Sequence, residues 1–436
     1  MTAKYRLGFD IGGTFTDFVL MDETTGERVL EKCLTTPDDP ARGVSKGLSL
    51  LFDKSGLDGK SVEVAIHATT LITNALIERR GLKTALVATQ GFRDTLEMGS
   101  EVRYDLYDLF MVKPAPLIPR NLRFEINERI TRDGDILTPV DEAQVVALAR
   151  QLAALEVRSV AIVFMHAYRN PVHERQVAAI LARELPDITI STSSSVAPEI
   201  REYERASTTA ANAYAKPITA RYLDRVYHTL TDAGYCNKLY MMLSAGGVTG
   251  VEVAKEYPIR MLESGPAAGV LAAIFYARQL GIPSLVTFDM GGTTAKVGLV
   301  KDYEAAKSGT FEFGRAARFK KGSGLPVKMP IIELIEIGAG GGSIAAMDKM
   351  GLLKVGPRSA SAQPGPACYG QGGRLPTVTD ANLVLGYLNP GYFLGGAMTL
   401  DEQAARDAIQ ENIAAPPWAS RWRKPPAESM KSSIKA

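Results

Sequence analysis

The chain has 436 residues, too many for one ordinary core, so two or three domains are expected. Hydrophobic residues make up 46% and charged residues 22%, a composition that excludes disordered and fibrous proteins. The formal net charge is only +2, so no electrostatic footprint for nucleic acid is present.

Targeting and metal-binding patterns are also absent from the sequence. The N-terminus enters an apolar strand pattern at Tyr5, and no apolar run approaches the roughly 18 residues of a membrane span. We therefore expect a cytoplasmic protein without a membrane partner. Cys33, Cys236 and Cys368 lie far apart, and the four histidines do not cluster, so neither a disulfide framework nor a zinc site is predicted.

The first half of the chain alternates strands with helices. A strand from Tyr5 to Asp10, a turn at Gly12-Gly13 and a returning strand from Thr16 to Met21 predict a hairpin. Val145, Leu148, Leu152 and Leu155 share one face of a helix predicted from Asp141 to Glu156, with Asp141 as its cap. A buried strand, 160–164, and a helix, 174–184, follow. This alternation predicts an α/β fold.

A polar run at 191–195 indicates a connection, and we expect a lobe boundary near residue 200. The elements predicted after it are helices at 207–214 and 220–232, a strand at 239–244, a helix entered at 263–269, and loops rich in glycine and proline at 326–366.

One short motif occurs twice. Asp10-Ile11-Gly12-Gly13-Thr14 matches Asp289-Met290-Gly291-Gly292-Thr293, and Asp289 lies 279 positions after Asp10. Each copy is followed by an apolar strand pattern. A single copy is explained as a hairpin turn, but two copies in matching contexts favour a shared function.

The residue types of this motif suit a polyphosphate. Glycines let backbone N–H groups approach phosphate oxygens, and each threonine adds a hydroxyl donor. An aspartate at a strand end can hold Mg²⁺, usually through water. Two facing copies would clamp one polyphosphate, so we expect ATP binding between two lobes.

A second glycine cluster runs from Gly338 to Ser343. It does not fit a dinucleotide-binding turn, because Ser343 takes the place of the third glycine. We predict that adenosine lies against this backbone, and a purely structural loop is the alternative.

These segments together resemble the hydantoinase A/oxoprolinase family of the superfamily that contains acetate kinases, sugar kinases, heat-shock chaperone ATPases and actin. The resemblance covers essentially residues 5–412. It is carried by the segments 10–17, 67–70, 74–76, 91–94, 104–109, 263–270, 289–294, 338–343, 364–370 and 376–382.

The resemblance implies two ribonuclease-H-like lobes around a nucleotide cleft, and it assigns roles to the repeated turns. It implies that Asp10 and Asp289 bind Mg²⁺ and act as catalytic residues. The residues implied to bind ATP are Gly12, Gly13, Thr14, Thr16, Asp17, Gly291, Gly292, Thr293 and Thr294, with Gly338, Gly340, Gly341 and Gly342 for adenosine.

Enzymes of this family use ATP to activate a carbonyl group. The implied reaction opens a hydantoin or 5-oxoproline ring by phosphorylating the amide oxygen, after which water attacks the carbon. The implied partner is a hydantoinase B-type second subunit. An ATP-dependent ketone carboxylase, an actin-like scaffold and an inactive remnant are the alternatives.

Other polar residues have two alternative roles each. We predict that His67 meets substrate or a phosphate, with a structural histidine as the alternative. Glu263 and Asp380 can support the site or merely cap helices. Relatives tend to carry asparagine where Ala245 stands, so one polar contact is expected to be missing.

The C-terminus departs from the family pattern. Residues 413–436 contain five basic residues, one acidic residue and both tryptophans, without helical or strand periodicity. We expect this tail to be non-native, with a genuine disordered tail as the alternative. The expected domains are 1–200, bearing the first turn, and 201–412, incomplete and bearing the second turn and the adenosine motif.

Overall fold

The computed structural model describes residues 4–13, 15–36, 39–317, 320–348 and 350–414. The elements up to residue 262 are β1 Tyr5–Ile11, β2 Phe15–Asp22, β3 Arg28–Leu34, α1 Pro40–Ser55, β4 Val62–Thr69, α2 Leu71–Ile77, β5 Thr84–Thr89, α3 Thr95–Met98, β6 Arg123–Ile126, β7 Arg129–Ile130, β8 Ile136–Thr138, α4 Glu142–Ala154, β9 Ser159–Val163, α5 Val172–Glu184, β10 Thr189–Thr192, α6 Ser193–Val196, α7 Glu202–Asp232, β11 Leu239–Met242, β12 Val248–Gly250 and α8 Val251–Glu256.

The elements after residue 262 are α9 Ser264–Leu280, β13 Leu285–Met290, β14 Ala295–Lys301, β15 Glu304–Ala305, β16 Lys307–Phe313, β17 Leu325–Ile332, β18 Leu334–Ile337, β19 Ser343–Met347, β20 Leu353–Ser359, α10 Val378–Val384 and α11 Glu402–Ile409. Within the described ranges, no helix combines the length and apolar character that crossing a membrane requires. From residue 415 onwards, the tail expected to be non-native lies outside the residues that the structure describes.

The first sheet has the strand order β12-β11-β4-β1-β2-β3. β1 pairs antiparallel with β2, as the predicted hairpin requires, and parallel with β4 on its other side. Alternate residues of β1 are apolar and buried, and the same face of β2 carries Phe18. α1 covers this face so closely that a Cβ atom at Gly47 would overlap the Phe18 ring.

A second sheet, β10-β9-β5-β6, is parallel throughout. The predicted helix beside it is confirmed as α4, which begins after Asp141, whose carboxylate accepts the Ala143 N–H. Val145 and Leu152 of α4 are buried against this sheet. β9 is buried over its whole length, as expected for a parallel strand with both faces covered.

One long helix replaces two predicted ones. The sequence predicts a break between 214 and 220 because proline removes a backbone N–H, yet α7 continues from Glu202 to Asp232 with Pro217 inside it. The carbonyl of Ala213, which an N–H at position 217 would satisfy, accepts the Ser159 hydroxyl at 2.7 Å instead. A side chain from β9 therefore lets the helix continue.

The boundary expected near residue 200 does not interrupt the first sheet. β11 and β12 follow α7 in the chain yet extend the sheet beyond β4. Tyr222 and Leu223 of α7 belong to the same core as Leu7 of β1. We propose that the second lobe begins near α9.

The remaining elements build a smaller sheet, in which β14 pairs with β13, β15 and β18. α9 packs on one face of it through Val270 and Ile274. Two-stranded sheets, β16-β17 and β19-β20, and the helices α10 and α11 complete the described part. The predicted α/β class is confirmed.

Candidate functional site

The two copies of the sequence motif form hairpins of the same structure. Asp10 lies opposite Asp17 in the first hairpin, and Asp289 lies opposite Lys296 in the second, so the register is shared. The Gly12 N–H donates to the Phe15 carbonyl at 2.9 Å, and the Gly291 N–H donates to the Thr294 carbonyl at 2.9 Å. Both turns therefore have the same backbone closure.

The Asp10 carboxylate lies in an unusual environment. Its Oδ1 is buried and has no hydrogen-bond partner among the residues that the structure describes. Burial raises the pKa of Asp10 to about 6, with further contributions from the charges of Asp17 and Asp289, opposed by Lys32 and Lys296. Asp289 of the second turn therefore lies within electrostatic range of Asp10 of the first turn.

The start of α9 closes this site from one side. A Cβ atom at Gly265 would lie 2.9 Å from the Asp10 Oδ1, so a larger residue there would displace the Asp10 carboxylate. The Ser264 hydroxyl donates to the Thr69 carbonyl at 3.1 Å and lies 3.1 Å from the Thr69 N–H. The helix predicted from 263 is thus confirmed, and its first turn ties the second lobe to β4.

Lys296 is a site residue that the sequence analysis did not identify. Its ammonium group forms an ion pair with Glu263, and the two side chains are only 12% and 4% exposed. Burial raises the pKa of Glu263, an effect opposed by Lys296. The repeat could have indicated Lys296, since this lysine occupies the position that Asp17 has in the other copy. The two hairpins therefore carry opposite charges at equivalent positions, Asp17 in the first and Lys296 in the second.

Lys296→Met is expected to lower the free energy of unfolding by about 3 kcal/mol at pH 8, because a buried carboxylate loses its partner. The loss should shrink when the pH is lowered to 5, because burial raises the pKa of Glu263 and the variant lacks the lysine that opposes this effect. Urea denaturation at both pH values measures this. The matched control is Lys32→Met at the exposed Asp17 pair, where less than about 1 kcal/mol is expected. Equal losses of unfolding free energy in the two variants would contradict a stabilising role of the buried Lys296–Glu263 pair.

The glycine cluster supports the second turn directly. The Gly341 N–H donates to the Gly291 carbonyl at 2.9 Å, and the Gly342 N–H donates to the Gly292 carbonyl at 2.7 Å. A Cβ atom at Gly340 would lie 2.5 Å from the Gly291 carbonyl oxygen. Structural support of the turn is thus observed, and contact of this cluster, Gly338 included, with adenosine stays a prediction.

The other predicted ligand-binding residues fall into four groups. Thr16 is buried, and its hydroxyl lies 3.0 Å from that of Thr35, which donates to the Gly12 carbonyl, so Thr16 steadies the turn from inside. Asp17 is half-exposed and paired with Lys32 at 2.6 Å. Thr14 lies outside the described residues. The partly or fully exposed turn residues are Gly12, Gly13, Gly291, Gly292, Thr293 and Thr294.

His67 lies inside the core of the first sheet. It is fully buried, stacked on Phe9, with Nδ1 3.1 Å from the Phe9 carbonyl and Nε2 2.6 Å from the Tyr222 hydroxyl. Burial lowers its pKa to about 4, so the ring stays neutral near pH 7. This arrangement matches the structural alternative, and we assign His67 no catalytic role.

Asp380 is also structural. It is fully buried in a capping box with Thr377 at the start of α10. Its two oxygens accept the backbone N–H groups of Ala367, Cys368 and Thr377. Both oxygens of Asp380 are thus occupied as hydrogen-bond acceptors that fix the loop before α10, as the capping alternative predicts.

The described residues contain no group of three or more histidine, cysteine or carboxylate side chains close enough to hold a metal ion. Mg²⁺ does not require one, because it keeps several waters and is bound through one or two carboxylates together with phosphate oxygens. A carboxylate oxygen without a partner at Asp10 fits that mode of binding.

Comparison with known proteins decides the family. Residues 6–185 match the profile "Hydantoinase/oxoprolinase N-terminal region", and residues 205–428 match the profile "Hydantoinase/oxoprolinase". The chain belongs to the hydantoinase/oxoprolinase family. The two profiles meet near residue 200, although the first sheet of this family member crosses that point.

Relatives in this family span nearly the whole chain. An uncharacterised protein, MJ0964, of Methanocaldococcus jannaschii is 41% identical, over 94% of this chain and 61% of its own length. Caprolactamase subunit alpha of Pseudomonas jessenii is 40% identical, over 95% of this chain and 59% of its own length. The chain thus spans about 60% of the length of these relatives.

Solved structures share the fold. A nucleotide-free structure of acetone carboxylase, 28% identical, superposes over 99% of this chain and 61% of its own with a TM-score of 0.83. The ATP-dependent caprolactamase of Pseudomonas jessenii, 38% identical, superposes over 99% of this chain and 61% of its own with a TM-score of 0.77. The two-lobe α/β fold expected from the sequence is confirmed.

Proposed function

We propose that this chain is the ATP-binding subunit of an ATP-dependent enzyme that hydrolyses cyclic amides. The observation that carries the proposal is a buried oxygen of Asp10 that has no hydrogen-bond partner among the described residues. Asp289 lies within electrostatic range of Asp10, and the two hairpins that carry these aspartates share one register. A buried carboxylate without a donor is costly unless a cation or ligand completes it.

The residues present fit Mg·ATP. Asp10 and Asp289 would hold Mg²⁺, in part through water. The backbone N–H groups of the two turns and the hydroxyls of Thr293 and Thr294 would bind phosphate oxygens. When bound, Mg·ATP would supply the phosphoryl group that makes the amide carbon electrophilic enough for attack by water, so that the ring C–N bond can break.

The chain's own residues prepare this site in three ways. The Gly12 and Gly291 hydrogen bonds fix the turns before a ligand arrives, which lowers the cost of ordering them. Lys296, held by Glu263, places a positive charge among carboxylates that must face a polyphosphate. The first turn of α9 packs against Asp10 and excludes water from its inner side.

A cyclic amide is the substrate class that we favour. The 40% identity to a caprolactamase subunit supports it, because that relative acts on a lactam. The alternative is a ketone carboxylase, supported by the fold match to acetone carboxylase at the lower identity of 28%. We propose a hydantoinase B-type second subunit as the partner, since the caprolactamase relative is itself a subunit. Use of ATP fits a cytoplasmic location.

The test is an assay of ADP release. We expect a cyclic amide such as a hydantoin, 5-oxoproline or a larger lactam to stimulate ADP release at least ~10-fold when a hydantoinase B-type subunit is added. Ketones with bicarbonate should have no effect, and Asp289→Asn should remove the stimulation. Stimulation by a ketone with bicarbonate alone would favour the carboxylase, and Mg·ATP binding without stimulation by any substrate would favour a scaffold or remnant.

A further inference from the structure

The two repeated turns are held in place by different contacts. In the second turn, two backbone carbonyls accept N–H groups of the glycine cluster at 338–343. In the first turn, the Gly12 carbonyl accepts the side-chain hydroxyl of Thr35. The residue after the first motif is Phe15, and its counterpart after the second motif is Thr294. An aromatic ring therefore follows the first turn where the second copy has a small polar side chain.

The Phe15 ring contacts an aromatic ring that the chain supplies after α10. Its centroid lies 6.0 Å from that of Phe393, and the two ring planes meet at 67° in an edge-to-face arrangement. The Phe393 ring in turn lies 5.5 Å from that of Tyr369. Both distances fall in the favourable range for aromatic pairs. Phe15, Phe393 and Tyr369 thus form a cluster, called here the interlobe ring cluster, which joins the first hairpin to elements that follow α9.

The Phe393 end of this cluster is firmly supported. Tyr369 is buried in one apolar core with Leu383 and Leu400, and Phe393 packs against that core. The backbone of the two residues before Tyr369 is fixed as well, because both of their N–H groups donate to the Asp380 carboxylate. The ring of Phe393 is therefore held by packed and hydrogen-bonded neighbours.

The same helix that supports Phe393 also supports the second turn. Thr379 of α10 is the neighbour of Asp380, and it donates its N–H to the Gly341 carbonyl at 2.8 Å and its hydroxyl to the same oxygen at 2.9 Å. Gly341 donates its own N–H to the Gly291 carbonyl of the second turn at 2.9 Å. Contacts from α10 therefore reach both turns, the second through backbone hydrogen bonds and the first through aromatic rings.

We propose that Phe393 is a positioning residue for the first turn, and that the interlobe ring cluster holds the two turns at a fixed spacing. The Phe15 carbonyl accepts the Gly12 N–H at 2.9 Å, so holding the Phe15 ring also holds the residue that closes the turn. N–H donors that are already in place bind a phosphate group at a lower entropic cost than donors that must first be ordered. The effect on phosphate binding rests on the proposed function, whereas the positioning of the turn does not.

The test compares Phe15→Leu, Phe393→Leu and the double variant in the full chain, because leucine stays apolar but removes the contact between rings. Without ligand, the Gly12 N–H should exchange with solvent at least ~10-fold faster in each variant, while the amides of α4 exchange at an unchanged rate. Mg·ATP affinity in calorimetric titrations should fall about 10-fold in each single variant. It should fall no further in the double variant, since both substitutions break the same contact.

The matched control is Tyr392→Leu, because Tyr392 directly precedes Phe393 in the chain but is 69% exposed. It should change neither the Gly12 exchange rate nor the Mg·ATP affinity. Unchanged Gly12 exchange in both single variants, or affinity losses that add up in the double variant, would overturn the proposal. Faster Gly12 exchange in a chain whose parent binds no Mg·ATP would support the positioning role and contradict the proposed function instead.

Discussion

Asp10→Asn is expected to stabilise the ligand-free chain while abolishing its binding of Mg·ATP. The stability effect follows from linkage. The folded pKa of Asp10 is about 6, against an ordinary value of 3.8, so between these values the folded state binds more protons than the unfolded state. The free energy of unfolding therefore falls as the pH rises from about 4 to 6. Above pH 6 the full penalty, about 3 kcal/mol, is present.

Asparagine removes this penalty because it is uncharged. We expect the variant to be about 3 kcal/mol more stable than the parent at pH 8 and equal to it below about pH 4, as measured by urea denaturation. Its affinity for Mg·ATP should fall on the order of 100-fold in calorimetric titrations, because a proposed metal ligand is lost.

Asp289→Asn is the matched control for this experiment. Asp289 is exposed, so its replacement should change stability by less than about 0.5 kcal/mol. Its effect on Mg·ATP affinity should nevertheless resemble that of Asp10→Asn, because both residues are proposed to hold the metal. Unchanged affinity in both variants would remove the basis for the clamp.

Gly340→Ala is expected to cost about 3 kcal/mol of stability and to disrupt the second turn. The added Cβ would lie 2.5 Å from the Gly291 carbonyl oxygen and 2.7 Å from the backbone nitrogens of Thr293 and Thr294. These are backbone atoms, so no flexible side chain can move aside to relieve the overlap. The turn itself must shift, and Mg·ATP affinity should fall with it.

Gly309→Ala provides the comparison, because a Cβ atom there meets nothing within 4 Å. It should change the free energy of unfolding by less than about 1 kcal/mol and leave nucleotide affinity unchanged. Urea denaturation and calorimetric titration are used for both variants. If the two alanine variants behave alike, close packing of the glycine cluster on the second turn is not what stabilises that turn.

The hairpins could be predicted because their determinants are local. Asp-x-Gly-Gly-Thr places its glycines at a tight turn, and the alternating apolar residues on either side set the register. The same holds for α4, whose cap and apolar face lie within its own sequence. Such features need no information about distant parts of the chain.

Features that depend on distant partners could not be predicted. The Lys296–Glu263 pair joins residues 33 apart in the sequence across two elements. The structural role of His67 depends on Tyr222, which is 155 positions away. A histidine after a buried strand is compatible with catalysis or with packing, and only its contacts distinguish the two.

The continuity of α7 also has a consequence for sequence variation. Without Ser159, the Ala213 carbonyl opposite Pro217 would be left unpaired inside the core, at a cost of about 1 to 3 kcal/mol. The Ser159 hydroxyl has a second acceptor, the Thr189 carbonyl at 3.3 Å, so the serine does not depend on the proline. Pro217 is thus acceptable mainly in the presence of Ser159. Related sequences with proline at position 217 should therefore keep a hydroxyl donor at position 159, which links β9 to the middle of the helix.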